Sequence, residues 1–211
     1  STLIFLNWIA AVLLVVLAVP IIRLLFQGGK FTAHDTHETA FALMCLAPGL
    51  VAYSSVNILA RAFFALGDTK TPMKISIVCL AMNLIIAVAL VERFRQGGLG
   101  IANTATSICN VWLLFFALRK KLGRLEMESL WKTLLPLAVA GTVAGFVAWF
   151  GWQFWENQFG HATLALKTGA VFAPAMAAGF IYGILALAFK VPAAREMLDF
   201  ALTKFRKQQR T

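Results

Sequence analysis

Long, unbroken apolar runs alternate along the chain with short polar and basic interruptions. Each run is roughly 17–25 residues, the length an α-helix needs to cross the hydrocarbon of a bilayer. A strand of a membrane barrel would be shorter and would switch between apolar and polar at every step. The pattern therefore predicts an all-α, polytopic membrane helix bundle with six transmembrane helices. They fall at about Leu3–Phe26, Thr39–Leu66, Ile75–Val91, Leu99–Leu118, Leu134–Phe154 and Thr168–Phe189. Pro20 should kink the first span near its far end, because its ring removes an amide donor and crowds the preceding turn. Arg23 can then snorkel outward. Pro48 and Gly49 permit a bend or local unwinding in the second span, where a neighbour can satisfy the freed carbonyls.

The interruptions carry turn and cap chemistry. In Arg61–Lys74, RAFFALGDTKTPMK, two spans are reversed: Gly67 and Asp68 suit a turn, Thr69 and Thr71 can bond local backbone groups, and Pro72 is tolerated in the first turn of a new helix. Lys70 and Lys74 flank that hinge as cytoplasmic loops tend to show. In QGGKFTAHDTHET, Thr36 or Asp35 can cap the second helix, with Glu38 in its first turn. His34 and His37 beside Asp35 and Glu38 invite a metal reading. Cap and loop chemistry already accounts for them and no further ligand is in view, so no metal and no cofactor is expected. The fourth span follows a short loop, ERFRQGG, and ends in the basic run RKKLGR. After Pro192, Met197, Leu198, Ala201, Leu202 and Phe205 share a face with Lys204, Arg206 and Lys207 nearby, the pattern of a short amphipathic helix on an anionic surface.

Composition agrees with lipid as the solvent: of 211 residues, 60% are hydrophobic and only 13% charged, too apolar for a soluble domain. The net charge of +10 does not point to nucleic acid, because the basic residues flank apolar runs rather than line one face with aromatics. Anionic lipid headgroups are the expected partner. Cys45, Cys79 and Cys109 each fall in an apolar run without CxxC spacing, as small buried hydrophobes do. The chain starts at Ser1 and enters an apolar run directly, so it reads as a piece of something longer. Counted on alternate sides of six spans, the cationic residues divide thirteen to five, and Arg61 within a span completes the nineteen. That asymmetry predicts both ends on the cytoplasmic side.

Polar residues inside apolar runs are costly in lipid and usually face a protein interior or a wet cavity. Asn57 and Arg61, one helical turn apart, form a candidate functional face, although Arg61 is also near enough to its span's end to snorkel. Asn83 lies near the middle of the third span. Asn103, Thr104, Thr106, Ser107 and Asn110 make the first half of the fourth unusually polar, a face to be turned inward for interhelical hydrogen bonding or a water-lined path. The fifth and sixth spans have uncharged cores and small-xxx-small pairs, Gly141 with Gly145 and Gly179 with Gly183, expected to bring these helices close to each other or to the bundle. Trp149, Trp152 and Trp155 crowd the exit of the fifth span, where an interfacial aromatic belt belongs.

Two motifs carry a resemblance. RLLFQGGKFTAHDT, closing the first span, followed by ARAFFALGDTKTPMK, resembles the MurJ/MviN family of lipid II flippases, in the multidrug/oligosaccharidyl-lipid/polysaccharide exporter superfamily. The likeness is firm over about Pro20–Leu90 and rests on hydropathy and spacing beyond that, to Phe189. It implies a fourteen-helix transporter of the bacterial inner membrane, moving undecaprenyl-linked peptidoglycan precursor to the outer leaflet by alternating access, with cell-wall synthesis proteins as further partners. This chain would be its C-terminal part. Residues 1–118 would supply four helices of the second lobe, 119–190 two additional helices bordering a groove for the lipid tail, and 191–211 the basic tail. Asp68, Thr69, Lys70, Thr71 and Pro72 match a cytoplasmic loop that would help pack the inner gate. Some relatives bind sodium through an Asn and an Asp four residues on. Asn83 matches, but Ala87 stands at the partner position, which argues for coupling to membrane potential or protons.

Other classes fit less well. A polyprenyl-phosphate transferase would need paired carboxylates or histidines holding magnesium at the membrane face, and Asp68 stands without a second acid there. A drug antiporter would need a carboxylate buried in these spans. An exporter of another lipid-linked oligosaccharide, or a non-transporting membrane scaffold, remains the alternative.

Overall fold

The computed structural model describes residues 2–26, 31–123, 127–160, 163–189 and 194, with only the helical backbone for 127–134. All secondary structure among the described residues is helical: α1 (Thr2–Val16), α2 (Ala18–Phe26), α3 (Ala33–Ala65), α4 (Lys70–Phe94), α5 (Gln96–Leu122), α6 (Met127–Phe159) and α7 (Leu164–Ala188). Five of these are long and apolar enough to cross a membrane, and α1 with α2 makes a sixth span if the bent pair is counted as one. The amphipathic tail expected after Pro192 lies outside the described residues, except that Ala194 is buried against the α6–α7 core.

The first span is broken rather than gently kinked, α1 and α2 meeting at 75°. The break falls at Leu17, three residues before Pro20. Hydrogen bonds enter and leave Leu17, from its amide to the Leu13 carbonyl (2.8 Å) and from the Ile21 amide to its own carbonyl (2.9 Å). Pro20 has no amide to give Val16, and its ring crowds that carbonyl. Arg23 does not snorkel to open solvent either. It lies 2.5 Å from Glu156 of α6, with both side chains largely buried.

The second helix starts earlier than the Thr36 or Asp35 caps imply. Thr32 is its N-cap, and Thr32 and Asp35 form a reciprocal capping box: the Thr32 amide donates to Asp35 Oδ2 (2.8 Å) and the Asp35 amide to Thr32 Oγ1 (3.3 Å). Despite Pro48, α3 stays continuous. Thr104 of α5 donates to the Cys45 carbonyl (2.6 Å) in the turn before the proline, so a neighbour supplies part of what the ring disturbs. At its far end α3 closes with paired bonds, Asp68 amide to Phe63 carbonyl and Gly67 amide to Phe64 carbonyl, both 3.0 Å. This Schellman arrangement needs a left-handed residue, and Gly67 supplies it at φ +71°.

ERFRQGG is not a loop. Helix α4 runs to Phe94 and α5 begins at Gln96, leaving Arg95 alone between them at φ +48°. The glycines that suggest a flexible connection instead let helices touch: a Cβ added at Gly98 would lie 2.6 Å from the Leu90 carbonyl oxygen, and one at Gly100 2.9 Å from that of Ala42. Helix α5 consequently packs closely on both α3 and α4, while α6 packs on α7 and α1 bridges α3 and α6. The larger core gathers Phe5, Leu17, Ala140, Ala144, Ala148, Ala178 and Tyr182. A smaller one joins Phe63 to Leu114 and Leu118. Helix α4 leans mainly on α5, so Ile77, Leu80, Leu84 and Val88 stay exposed, at little cost where lipid is the solvent.

Candidate functional site

Between α1, α3, α5 and α6 opens a cavity of about 830 Å³. Its walls are Trp8, Val12 and Val16 of α1; Pro48, Val51 and Ser55 of α3; Ile108 and Val111 of α5; and Thr142, Gly145, Phe146 and Trp149 of α6, with no charged side chain among the lining residues. Its two hydroxyl side chains turn back on their own helices, Ser55 to the Val51 carbonyl and Thr142 to the Val139 carbonyl, both at 2.9 Å. The wall is thereby left apolar. A site of this kind accepts hydrocarbon and rejects charge.

The glycines of α6 shape it. Gly141 faces the Trp8 indole and Gly145 faces Val12, so a methyl group at either would press on α1. The α6 pair thus receives α1 rather than α7. Among the described residues the α7 pair receives nothing: added Cβ atoms at Gly179 and Gly183 meet none of their atoms within 4 Å, so among these residues the pair is not what brings α6 and α7 together. All three tryptophans of the fifth span's exit lie on α6. The helix continues to Phe159, Trp149 lines the cavity, and Trp155 Nε1 donates to the Leu166 carbonyl of α7 (3.1 Å).

The polar positions of α5 divide between two neighbours. Thr104 faces α3 through its bond to Cys45. Thr106 is buried and accepts from Asn83 Nδ2 of α4 at 3.0 Å, with Asn103 Oδ1 a longer contact at 3.4 Å. Asn103 itself is exposed, Ser107 is half-buried, and Asn110 has a buried Oδ1 with no partner among the described residues. Ala87 is buried one turn from Asn83. Asn57 and Arg61 are exposed on α3 in line with Tyr53, and no hydrogen bond or ion pair holds either among the described residues.

At the hinge, Asp68 accepts from the Thr71 amide (3.0 Å) and hydroxyl (2.7 Å) and pairs with Lys121 at the end of α5 (2.7 Å). The Lys121 ammonium first, then the two Thr71 bonds, hold its carboxyl well below the usual carboxylate range. Thr69 occupies the N-cap of α4 without a side-chain bond. Pro72 is buried, whereas Lys70 and Lys74 are exposed. Three partnerships were not visible in the sequence pattern: Asp68 with Lys121, Arg23 with Glu156, and Asn7 with Ser54, where Asn7 Nδ2 donates at 2.6 Å. Asn7 alone had a signal, as a polar residue inside an apolar run.

No group of three or more His, Cys, Asp or Glu suited to a metal occurs among the described residues. The described fold is a bundle of helices long and apolar enough to cross a membrane, with one bent pair and an apolar cavity between α1, α3, α5 and α6.

The family model described as lipid II flippase MurJ matches residues 1–170, and the chain belongs to that family. Similar curated proteins, each named a probable lipid II flippase MurJ, include one from Bdellovibrio bacteriovorus, 35% identical over 68% of this chain and 27% of the relative. Another, from Rhizobium tropici, is 32% identical over 86% of this chain and 34% of the relative. The chain thus spans about a quarter to a third of the length of these relatives. A solved structure titled lipid II flippase MurJ, inward closed conformation, aligns over 92% of this chain and 37% of its own, with a TM-score of 0.67 and 20% identity, a likeness of fold.

Proposed function

We propose that this chain works as the C-terminal part of a flippase that carries lipid II, the undecaprenyl-linked peptidoglycan precursor, from the cytoplasmic to the outer leaflet of the bacterial inner membrane by alternating access. The activity would serve cell-wall synthesis. Residues 1–118 act as four helices of the second lobe and 119–190 as the two additional helices. Both ends face the cytoplasm, as the cationic asymmetry favours, which puts the Asp68–Thr71–Lys121 cluster at the inner gate.

The observation that carries the reading is the uncharged groove between α1, α3, α5 and α6, whose chemistry suits a polyprenyl tail. The tail's headgroup would meet the other exposed feature, the Asn57–Arg61 face of α3, where Arg61, unpaired among the described residues, is a cation able to meet a diphosphate. Ala87 beside Asn83 speaks against sodium as the coupling ion. Transport needs no bond-making chemistry, in keeping with a transporter rather than an enzyme.

The test is depletion of the full protein in its own cell, with the leaflet distribution of lipid II as readout. Lipid II held on the cytoplasmic face supports the reading, and failure of Arg61→Ala to restore export places Arg61 in headgroup contact. Normal lipid II turnover on depletion would sink it in favour of another lipid-linked oligosaccharide. A bulky residue in the groove, Gly145→Leu, should block export while the protein still reaches the membrane.

A further inference from the structure

The end of the bundle opposite the hinge holds a second cavity, about 550 Å³, of different chemistry. The first turns of α3 contribute His34, His37 and Glu38, and the α4–α5 corner contributes Arg93, Arg95 and Gln96. Against two guanidiniums stands a single lining carboxylate. Glu38 lies 3.4 Å from His34 Nε2 and 3.6 Å from Arg95, contacts too long for a charge-assisted hydrogen bond, which closes to about 2.7–2.9 Å. Arg93 has no ion or hydrogen-bond partner among the described residues. Among the described residues the pocket therefore keeps guanidinium donors without a close acceptor.

Arg95 is also the only non-glycine residue among the described ones with positive φ, at +48°. Glycine would fit that position without strain, and a strained side chain at a cavity mouth is a reason to look for a function there. Guanidinium groups match the paired oxygens of phosphate through two parallel N–H bonds, and the Gln96 amide can add another donor. The volume exceeds what a bare phosphate fills.

We infer that this pocket binds a phosphate-type oxyanion carrying a polar group of sugar or glycerol size, held by Arg93 and Arg95 and opposed by Glu38. The anion has two possible sources, the headgroup of a membrane lipid or a soluble phosphate compound. Neither the apolar groove nor Arg61 takes part, so the inference stands apart from the cargo assigned above.

The test uses the full protein in phosphatidylcholine nanodiscs, with an environment-sensitive dye on Glu92→Cys beside the pocket, titrated with inorganic pyrophosphate. A saturable signal is expected, weakened about tenfold or more when Arg93→Gln and Arg95→Gln are combined, with Arg95→Lys retaining part of it. Glu38→Gln should tighten binding about threefold by removing the opposing charge, an effect that misfolding cannot mimic. In nanodiscs rich in phosphatidylglycerol, a midpoint moved to higher pyrophosphate identifies a lipid headgroup as occupant, and an unmoved midpoint identifies a soluble phosphate; both keep the site. No saturable signal, a signal indifferent to the double arginine variant, or weaker binding in Glu38→Gln would overturn it.

Discussion

Helices α6 and α7 carry glycines at the same four-residue spacing and put them to opposite uses. On α6 the spacing makes a shallow face into which Trp8 and Val12 of α1 seat, while on α7 the same spacing meets no other described residue. The contact between α6 and α7 falls to other small residues, with Ala140, Ala144 and Ala148 buried in one cluster with Ala178 and Tyr182. A small-xxx-small pair marks where a helix is narrow. Whether anything comes close depends on a bulky residue arriving from elsewhere in the chain, because lipid supplies no hydrophobic drive for two apolar helices to associate.

The comparison breaks most sharply at a glycine that meets backbone rather than side chain. Gly98→Ala sets a Cβ 2.6 Å from the Leu90 carbonyl oxygen, which cannot rotate away; α4 should lift from α5, at about 3 kcal/mol in a reversible unfolding titration in detergent. Gly141→Ala collides with a ring that can shift, and should cost about 1–2 kcal/mol by the same measurement, with Trp8 fluorescence reporting the displaced indole. Gly179→Ala has room and a regular helical backbone, so it should stabilise by about 0.5 kcal/mol through the helix preference for alanine alone. A loss at Gly179 matching that at Gly141 would mean that α7 has a partner surface there after all.

The smallest effect concerns the hinge. The depressed pKa of Asp68 means that its pairing with Lys121 and Thr71 contributes above the ordinary aspartate range and is lost as pH falls through the lowered value. The stability difference between the natural protein and Lys121→Ala should therefore be constant at neutral pH and shrink on strong acidification. A difference that grows with acid would show that Asp68 is not the partner.

Much of the architecture was legible in the sequence because lipid enforces it. Uninterrupted apolar runs have one solution when every backbone group must be satisfied internally, so the helices fall where the runs do. Local signals also read correctly where their partners are near in the chain, as at Gly67 with its left-handed closure. What escaped was the pairing between distant elements. Nothing near Arg23 names Glu156, 133 residues away, and nothing in QGG distinguishes a flexible loop from a helix start that needs small residues for close approach. The Thr32 cap was missed for a different reason: two alternative caps stood just inside the helix, and only the reciprocal bond with Asp35 decides between them. The Asn57–Arg61 face was found from polarity alone, but its openness depends on what α5 and α1 leave uncovered.

Past the bend at Leu17, α2 is nine residues long, about 14 Å of helix, and lies at 75° to α1. The Arg23–Glu156 pair ties that short arm to α6, so the two halves of the broken span are not one straight rod. Each half follows its own neighbours, α3 and α6 for α1 and α3 and α7 for α2, so a shift of α1 beside the groove can be taken up at the joint instead of being carried to the far end of the span.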